Sequence, residues 1–352
     1  MKSFFLCRTR SATRCAAKFL LPLFLVPSLI NGNVLAAPTP PGMSDGGGAS
    51  AQSILDSVVR VATKVPATAR TAGTLGSQRE GSGVVIDSNG LVLTIGYVML
   101  EAEQAEIGLA DGRKIEATLV AYDHDTGFGL LRATEPLGVP AIALGNSGAL
   151  KANEQVLVAS HGGQSMAMAA LVVSRRPFAG YWEYLLEQAI FTAPPHPAFG
   201  GAALISSTGK LLGIGSLIVP DAAGPEQPVP GNMFIPVDRL KPILAALLDK
   251  GRSGEPHRPW LGLYCQEIHG RLFVNRIAAE GPAQSAGMRK GDLVVGVGGK
   301  AVTGLADFYR KIWAHGTSGV TVKLDVLRGT SVTPISIKSG DRHQWLRLNN
   351  SY

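Results

Sequence analysis

Hydroxyl, imidazole and carboxylate side chains are the parts of a hydrolytic site: a serine attacks, a histidine takes its proton, and a carboxylate orients the histidine. In this chain Ser206, Ser207, His124, His161 and His196 fall within one block of short apolar runs. Ser206-Ser207-Thr208-Gly209 reads as a hairpin turn, because small hydroxyl residues and glycine favour turns. His124 and His196 could meet around a metal, but two histidines without a third ligand at recognisable spacing make a weak zinc signal. They read as surface or cleft residues, and no metal or cofactor is expected. Cys265 is the single cysteine outside the first 36 residues, which leaves no intramolecular disulfide and suggests a small core residue.

Those first 36 residues have the pattern of a secretory signal peptide. Lys2, Arg8, Arg10, Arg14 and Lys18 are basic, residues 19–30 are apolar, and Val34-Leu35-Ala36-Ala37 offers small residues for cleavage near Ala36/Ala37. Pro22 and Pro27 interrupt an apolar run already short of the roughly 20 residues that span a bilayer. The expected location is therefore periplasmic or secreted. Without the segment the formal charge falls from +7 to +2, with 28 Lys and Arg against 26 Asp and Glu. No basic stripe with interleaved aromatics remains, so a nucleic-acid partner is not supported.

The chain has 352 residues, 45% hydrophobic and 17% charged, with 43 glycines, 22 prolines and 6% aromatics. This is a globular composition rich in turns and small β units. Residues 37–52 read as a flexible leader. From 53 to 250, runs of Val, Ile, Leu and Thr alternate with turn signals. Residues 82–87 and 91–94 form an expected hairpin around Asn89-Gly90, and residues 105–110 and 113–117 another. Many short strands at this spacing predict a barrel or sandwich. Leu240, Ile243, Leu244 and Leu247 have helical spacing over residues 239–250. A polar linker over 251–258 precedes a second unit at 259–341, with strands at 272–274, 292–297, 320–327 and 332–337, a short helix at 283–286 and a longer one at 305–313. Residues 342–352 read as a tail.

The large block resembles the HtrA/Deg family, whose members carry a chymotrypsin-like double β-barrel followed by PDZ domains. Gly81-Ser82-Gly83-Val84-Val85-Ile86-Asp87, Leu109-Ala110-Asp111-Gly112-Arg113, Leu144-Gly145-Asn146-Ser147 and Phe234-Ile235-Pro236-Val237-Asp238 carry the likeness. The resemblance implies a mainly β chain: a double β-barrel at 53–250 and a β-rich α+β PDZ domain at 259–341. Three segments match the family's active-site stretches: Thr94-Ile95-Gly96-Tyr97-Val98, residues 123–131, and His196-Pro197-Ala198-Phe199-Gly200. Where the family has a base, an orienting carboxylate and a nucleophile, this chain has Tyr97, Gly127 and Gly200. A phenol of ordinary pKa about 10 is no base at neutral pH, and glycine has no functional group. In a related triad, losing the base or nucleophile costs roughly 2 × 10⁶ in kcat. Phe199 also sets a bulky ring where the family's oxyanion loop has a smaller polar residue.

In the second unit, Arg258-Pro259-Trp260-Leu261-Gly262-Leu263 resembles the PDZ carboxylate-binding loop, and residues 280–292 resemble the signature before the third PDZ strand. The resemblance implies a groove between the strand after that loop and the 305–313 helix, with Trp260, Leu261, Gly262, Leu263, Leu305, Phe308 and Tyr309 as peptide-binding candidates. An extended ligand would add there as a strand, its terminal carboxylate held by backbone N–H groups. The sequence thus points to a pseudoprotease that binds C-terminal or unfolded peptide segments, as an adaptor, a regulator of an active HtrA relative, or a chaperone-like holder in protein quality control. The alternative is an active serine endopeptidase with relocated catalytic residues. Family trimers assemble through N-terminal aromatic contacts. Residues 37–96 contain no Phe, Trp or Tyr, which argues against a homo-trimer.

Overall fold

Short strands with one apolar face bury it by closing on themselves, and two sets of six do so here. The computed structural model describes residues 50–253, 257–346 and 348. The expected signal peptide and its cleavage point lie outside the described residues. So do 37–49 of the leader, 254–256 of the linker, and 347 and 349–352 of the tail.

A short helix α1 (Ala51–Asp56), capped by the Ser50 hydroxyl, leads into β1 (Val58–Lys64). One helical turn, α2 (Ala72–Leu75), precedes β2 (Gln78–Val85) and β3 (Leu91–Ile95), and α3 (Gly96–Met99) follows directly. Three further strands, β4 (Gln104–Gly108), β5 (Lys114–Tyr122) and β6 (Phe128–Ala133), close the first barrel in the order β1-β2-β3-β6-β5-β4. The β2–β3 hairpin forms as the turn chemistry predicts. Asp87 Oδ1 accepts from the N–H groups of Asn89 and Leu91 at 2.9 and 2.8 Å, and Gly90 takes φ 74°.

The second barrel comprises β7 (Gln155–Ala159), β8 (Ala167–Gly180), β9 (Tyr184–Ala193), β10 (Ala203–Ile205), β11 (Leu211–Val219) and β12 (Gly231–Pro236), in the order β10-β11-β12-β9-β8-β7. The β8–β9 hairpin is the long one, paired out to Gly180 opposite Tyr184, with bulges at Val172/Ser174 and Arg176/Phe178 that increase its twist. Near its tip, Ala179 and Leu185 pack into the core of the C-terminal unit.

The helix expected over 239–250 is shorter than its apolar spacing suggests. Regular helix, α4, spans only Leu244–Lys250, after a 3₁₀ turn at Val237–Arg239. Pro242 is the cause: it has no N–H for the carbonyl four residues back and disfavours helical backbone at Lys241. Leu240 and Leu247 are nonetheless buried, with Ile243 and Leu244 packed against the same core.

The C-terminal unit runs β13 (Leu263–Ile268), β14 (Arg271–Ile277), α5 (Pro282–Ser285), β15 (Leu293–Val297), β16 (Lys300–Ala301), α6 (Leu305–Trp313), β17 (Thr321–Arg328), β18 (Ser331–Lys338) and α7 (Arg342–Leu346). Its sheet has the order β13-β14-β15-β17-β18, which leaves β13 at an edge. Leu305, Phe308, Tyr309 and Ile312 form the buried stripe of α6, and Tyr309 extends the face expected from Leu305, Phe308 and Ile312. Cys265 is fully buried in β13, and burial pushes its thiol pKa up.

Phe308 anchors this core with no exposed surface. Phe308→Ala is expected to destabilise the C-terminal unit by about 3–5 kcal/mol, read as a lower urea midpoint for its transition. A loss below about 1 kcal/mol would contradict the packing described.

Candidate functional site

The three positions matching a protease active site do converge. Tyr97 lies in α3, just after β3; Gly127 lies in the turn between β5 and β6; Gly200 lies in the loop between β9 and β10. A Cβ built on Gly200 would sit 3.0 Å from the Tyr97 hydroxyl, and the N–H of Gly96 donates to the Gly127 carbonyl at 2.7 Å. Tyr97 is held in place by donating its hydroxyl to the Ser216 carbonyl on β11 at 3.0 Å. Burial pushes its phenol pKa further up, away from any role as a base. At Gly127, φ is 87°, and a Cβ would meet Ile235 Cδ1 at 3.3 Å. The loop around Gly200 is backbone packed on backbone: Ser82 N donates to Gly200 O at 2.8 Å, and a Cβ on Gly201 would come within 1.9 Å of Ser82 O.

The other hydroxyls and imidazoles are engaged locally. Ser206 Oγ accepts from Thr208 N and Lys210 N at 3.3 and 3.1 Å, which makes it the turn residue expected between β10 and β11. His124 and His196 take different partners. His124 sits between Tyr122 Oη at 3.1 Å and Arg342 Nη1 at 2.6 Å, and burial holds its pKa well below the ordinary value. His196 is buried, with Nδ1 accepting from Ala198 N at 3.2 Å and Nε2 3.2 Å from the Met166 carbonyl.

His161 meets a serine that sequence reasoning missed. Its Nδ1 is 3.0 Å from Ser82 Oγ, and its Nε2 is 3.6 Å from Glu80 Oε1. The two residues lie 79 positions apart, with no local signal linking them. Ser82 has no exposed surface, and its hydroxyl also pairs with Ser160 Oγ at 2.7 Å and accepts from His161 N at 3.0 Å.

The expected peptide-binding residues are also brought together, around an occupant that sequence reasoning did not place there. Leu261 N donates to Glu183 Oε2 at 3.0 Å and Leu263 N to Glu183 Oε1 at 2.8 Å. Gly262 makes this possible with φ 77°, which turns the flanking N–H groups towards one side. The loop's carbonyls are bound elsewhere, Leu261 O by Ala283 N and Gly262 O by Ala278 N, both at 2.8 Å. From α6, Tyr309 donates its hydroxyl to Gly180 O at 2.8 Å and accepts from Glu183 N at 3.1 Å. Leu305 and Phe308 are buried in the core beneath. Trp260 turns its ring onto Trp345 of α7, with centroids 4.8 Å apart.

Two further residues that sequence reasoning missed complete this arrangement. Arg342, in the segment read as a tail, donates to the Trp182 carbonyl at 2.7 Å. Arg310 forks onto both Glu187 oxygens at 2.9 and 2.6 Å. One signal was available: Phe178, Tyr181, Trp182 and Tyr184 put four aromatics into seven positions of a chain that is 6% aromatic.

Burial pushes the Glu183 carboxyl pKa up to about 7, against the stabilising N–H groups of Leu261 and Leu263 and the charge of Arg342. A carboxyl whose pKa is raised on folding contributes stability at low pH and loses it as pH rises, here between about 4.5 and 7. Tyr309 from α6 and Cys265 from β13, both pushed up by burial, stay neutral in this window. His124 and His343, whose pKa values burial lowers, contribute with the opposite sign, so the measured quantity is the difference between wild type and Glu183→Gln. That difference is expected to move against the wild type by on the order of 3 kcal/mol between pH 4.5 and 7. Parallel urea-unfolding curves for the two chains across this range would refute it.

Comparison with known proteins agrees with this architecture. The Trypsin-like peptidase domain family matches residues 81–214, and the PDZ domain family matches residues 259–338. A protein of Pseudomonas fulva named "Probable periplasmic serine endoprotease DegP-like" is 27% identical over 300 residues, covering 78% of this chain and 60% of the relative. The periplasmic pH-dependent serine endoprotease DegQ of Escherichia coli is 28% identical over 263 residues, covering 70% and 56%. The chain thus spans only a little over half the length of these relatives. Among solved structures, a substituted form of the HtrA-type protease AlgW with a tripeptide superposes with TM-score 0.51 at 20% identity, covering 83% of this chain and 97% of that one. A serine endoprotease from Yersinia pestis gives 0.50 at 22%, covering 83% and 98%. The fold is a trypsin-like double β-barrel followed by a PDZ domain. The chain thus combines a trypsin-like peptidase domain with a PDZ domain and is homologous to DegP- and DegQ-type proteins.

Proposed function

We propose that this chain is a periplasmic HtrA-like pseudoprotease that binds C-terminal or unfolded peptide segments through its PDZ groove. In this role it serves as an adaptor, a regulator of an active relative, or a chaperone-like holder in protein quality control. The observation that carries the reading is the meeting of Tyr97 with Gly200: the cleft holds a phenol locked onto Ser216 O where a base would face a nucleophile. A second feature supports it. In serine proteases the N–H two residues before the nucleophile points at the developing oxyanion; here the corresponding N–H, on Ala198, donates to His196 Nδ1. Periplasmic location is supported by the names of the relatives and by the basic and apolar N-terminal pattern.

The Ser82–His161–Glu80 contact favours a second reading, a relocated hydrolytic site. Burial weighs against it, since a serine with no exposed surface and a hydroxyl in three hydrogen bonds to Ser160 and His161 offers no path to a substrate carbonyl. Purified mature protein incubated with unfolded casein and a fluorophosphonate probe is expected to give neither cleavage nor labelling. Cleavage or labelling that disappears in Ser82→Ala, Ser206→Ala or Ser207→Ala would sink the pseudoprotease reading.

A further inference from the structure

We infer that Glu183 is the resident occupant of the PDZ carboxylate cradle, so that the groove is self-capped and admits an external C-terminal carboxylate only in exchange for this side chain. The inference rests on the reading of the groove as a peptide site and specifies how that site is regulated. A glutamate side chain and a chain terminus present the same acceptor, two oxygens in a plane. The two oxygens of Glu183 take one N–H each, from Leu261 and Leu263.

The backbone at Glu183 points the same way. Its φ is 57°, in the left-handed region that glycine enters freely and other side chains enter under strain. A turn selected for its backbone alone would be served by glycine, yet this position carries a nearly fully buried carboxylate with a backbone N–H on each oxygen. The hairpin tip is then held against the PDZ unit on both sides. Tyr309 bonds both Gly180 and Glu183, Arg342 bonds Trp182, and Leu185 sits in the PDZ core.

A ligand that binds only the uncapped form has its apparent Kd raised by the inverse of the uncapped fraction. Removing the cap therefore strengthens binding without adding any contact to the ligand. Glu183→Gly is the appropriate variant, because it deletes the carboxylate while suiting the observed backbone. Glu183→Gln, which keeps one acceptor oxygen, should fall between it and the wild type.

The test uses the full mature chain and a fluorescent pool of decapeptides with randomised last three residues, prepared with free and with amidated C-termini. Glu183→Gly is expected to bind the free-carboxylate pool at least tenfold tighter than wild type, with no gain for the amidated pool. In parallel, hydrogen-exchange protection of the Leu261 and Leu263 amides should fall at least tenfold in Glu183→Gly. Equal affinities of the two chains for the free-carboxylate pool, or unchanged protection at both amides, would overturn the cap. Loss of protection with no peptide binding by either chain would uphold the cap and defeat the peptide-binding reading beneath it.

Discussion

A carboxylate cannot be withdrawn from water without donors to replace the water, and a loop of backbone N–H groups cannot be buried without an acceptor. The contact of Glu183 with Leu261 and Leu263 meets both demands at once, and much of the arrangement follows from it. It requires β8 and β9 to run past the barrel they close, and it requires left-handed backbone at the tip. It also places Tyr309 where its hydroxyl serves the hairpin, and it brings α7 back so that Arg342 can cover the Trp182 carbonyl. The barrel and PDZ units therefore share a buried polar joint as well as apolar surface. Such a joint specifies one docking geometry more sharply than apolar contact does, because a small slip strands both the carboxylate and its donors.

The cleft between the barrels is organised by a different constraint, the close approach of main chains. Gly201 lies against Ser82 and Gly215 against Phe199, at spacings where any side chain would collide with backbone. The loop that carries Gly200 is thus positioned by the barrel framework rather than by the side chains facing the cleft. A protease-like frame is retained around Tyr97 and Gly200 because its glycines and strand registers serve the fold itself.

The strands and turns were readable from sequence because their causes are local: period-two burial, Asn-Gly and Ser-Thr-Gly turns, and the three- and four-residue spacing of α6. The helix over 239–250 starts later than its apolar spacing suggests, because Pro242 breaks the backbone pattern that the spacing does not register. The convergence of Tyr97, Gly127 and Gly200 became visible only through the family resemblance, as the three lie far apart in the chain. Glu183 escaped because nothing in Trp182-Glu183-Tyr184 announces a partner 78 residues on. Ser82 escaped for the same reason. A buried hydrogen bond between distant strands is a property of the assembled barrels, and no short window of sequence contains it.

Gly127 carries a consequence for this chain's evolutionary prospects. Its φ of 87° and the nearness of Ile235 mean that an aspartate placed there would meet an unfavourable backbone and a crowded wall together. The route to a working triad therefore does not consist of three side-chain exchanges. It passes through a reshaped turn between β5 and β6. The geometry of this turn favours glycine over any side chain at position 127.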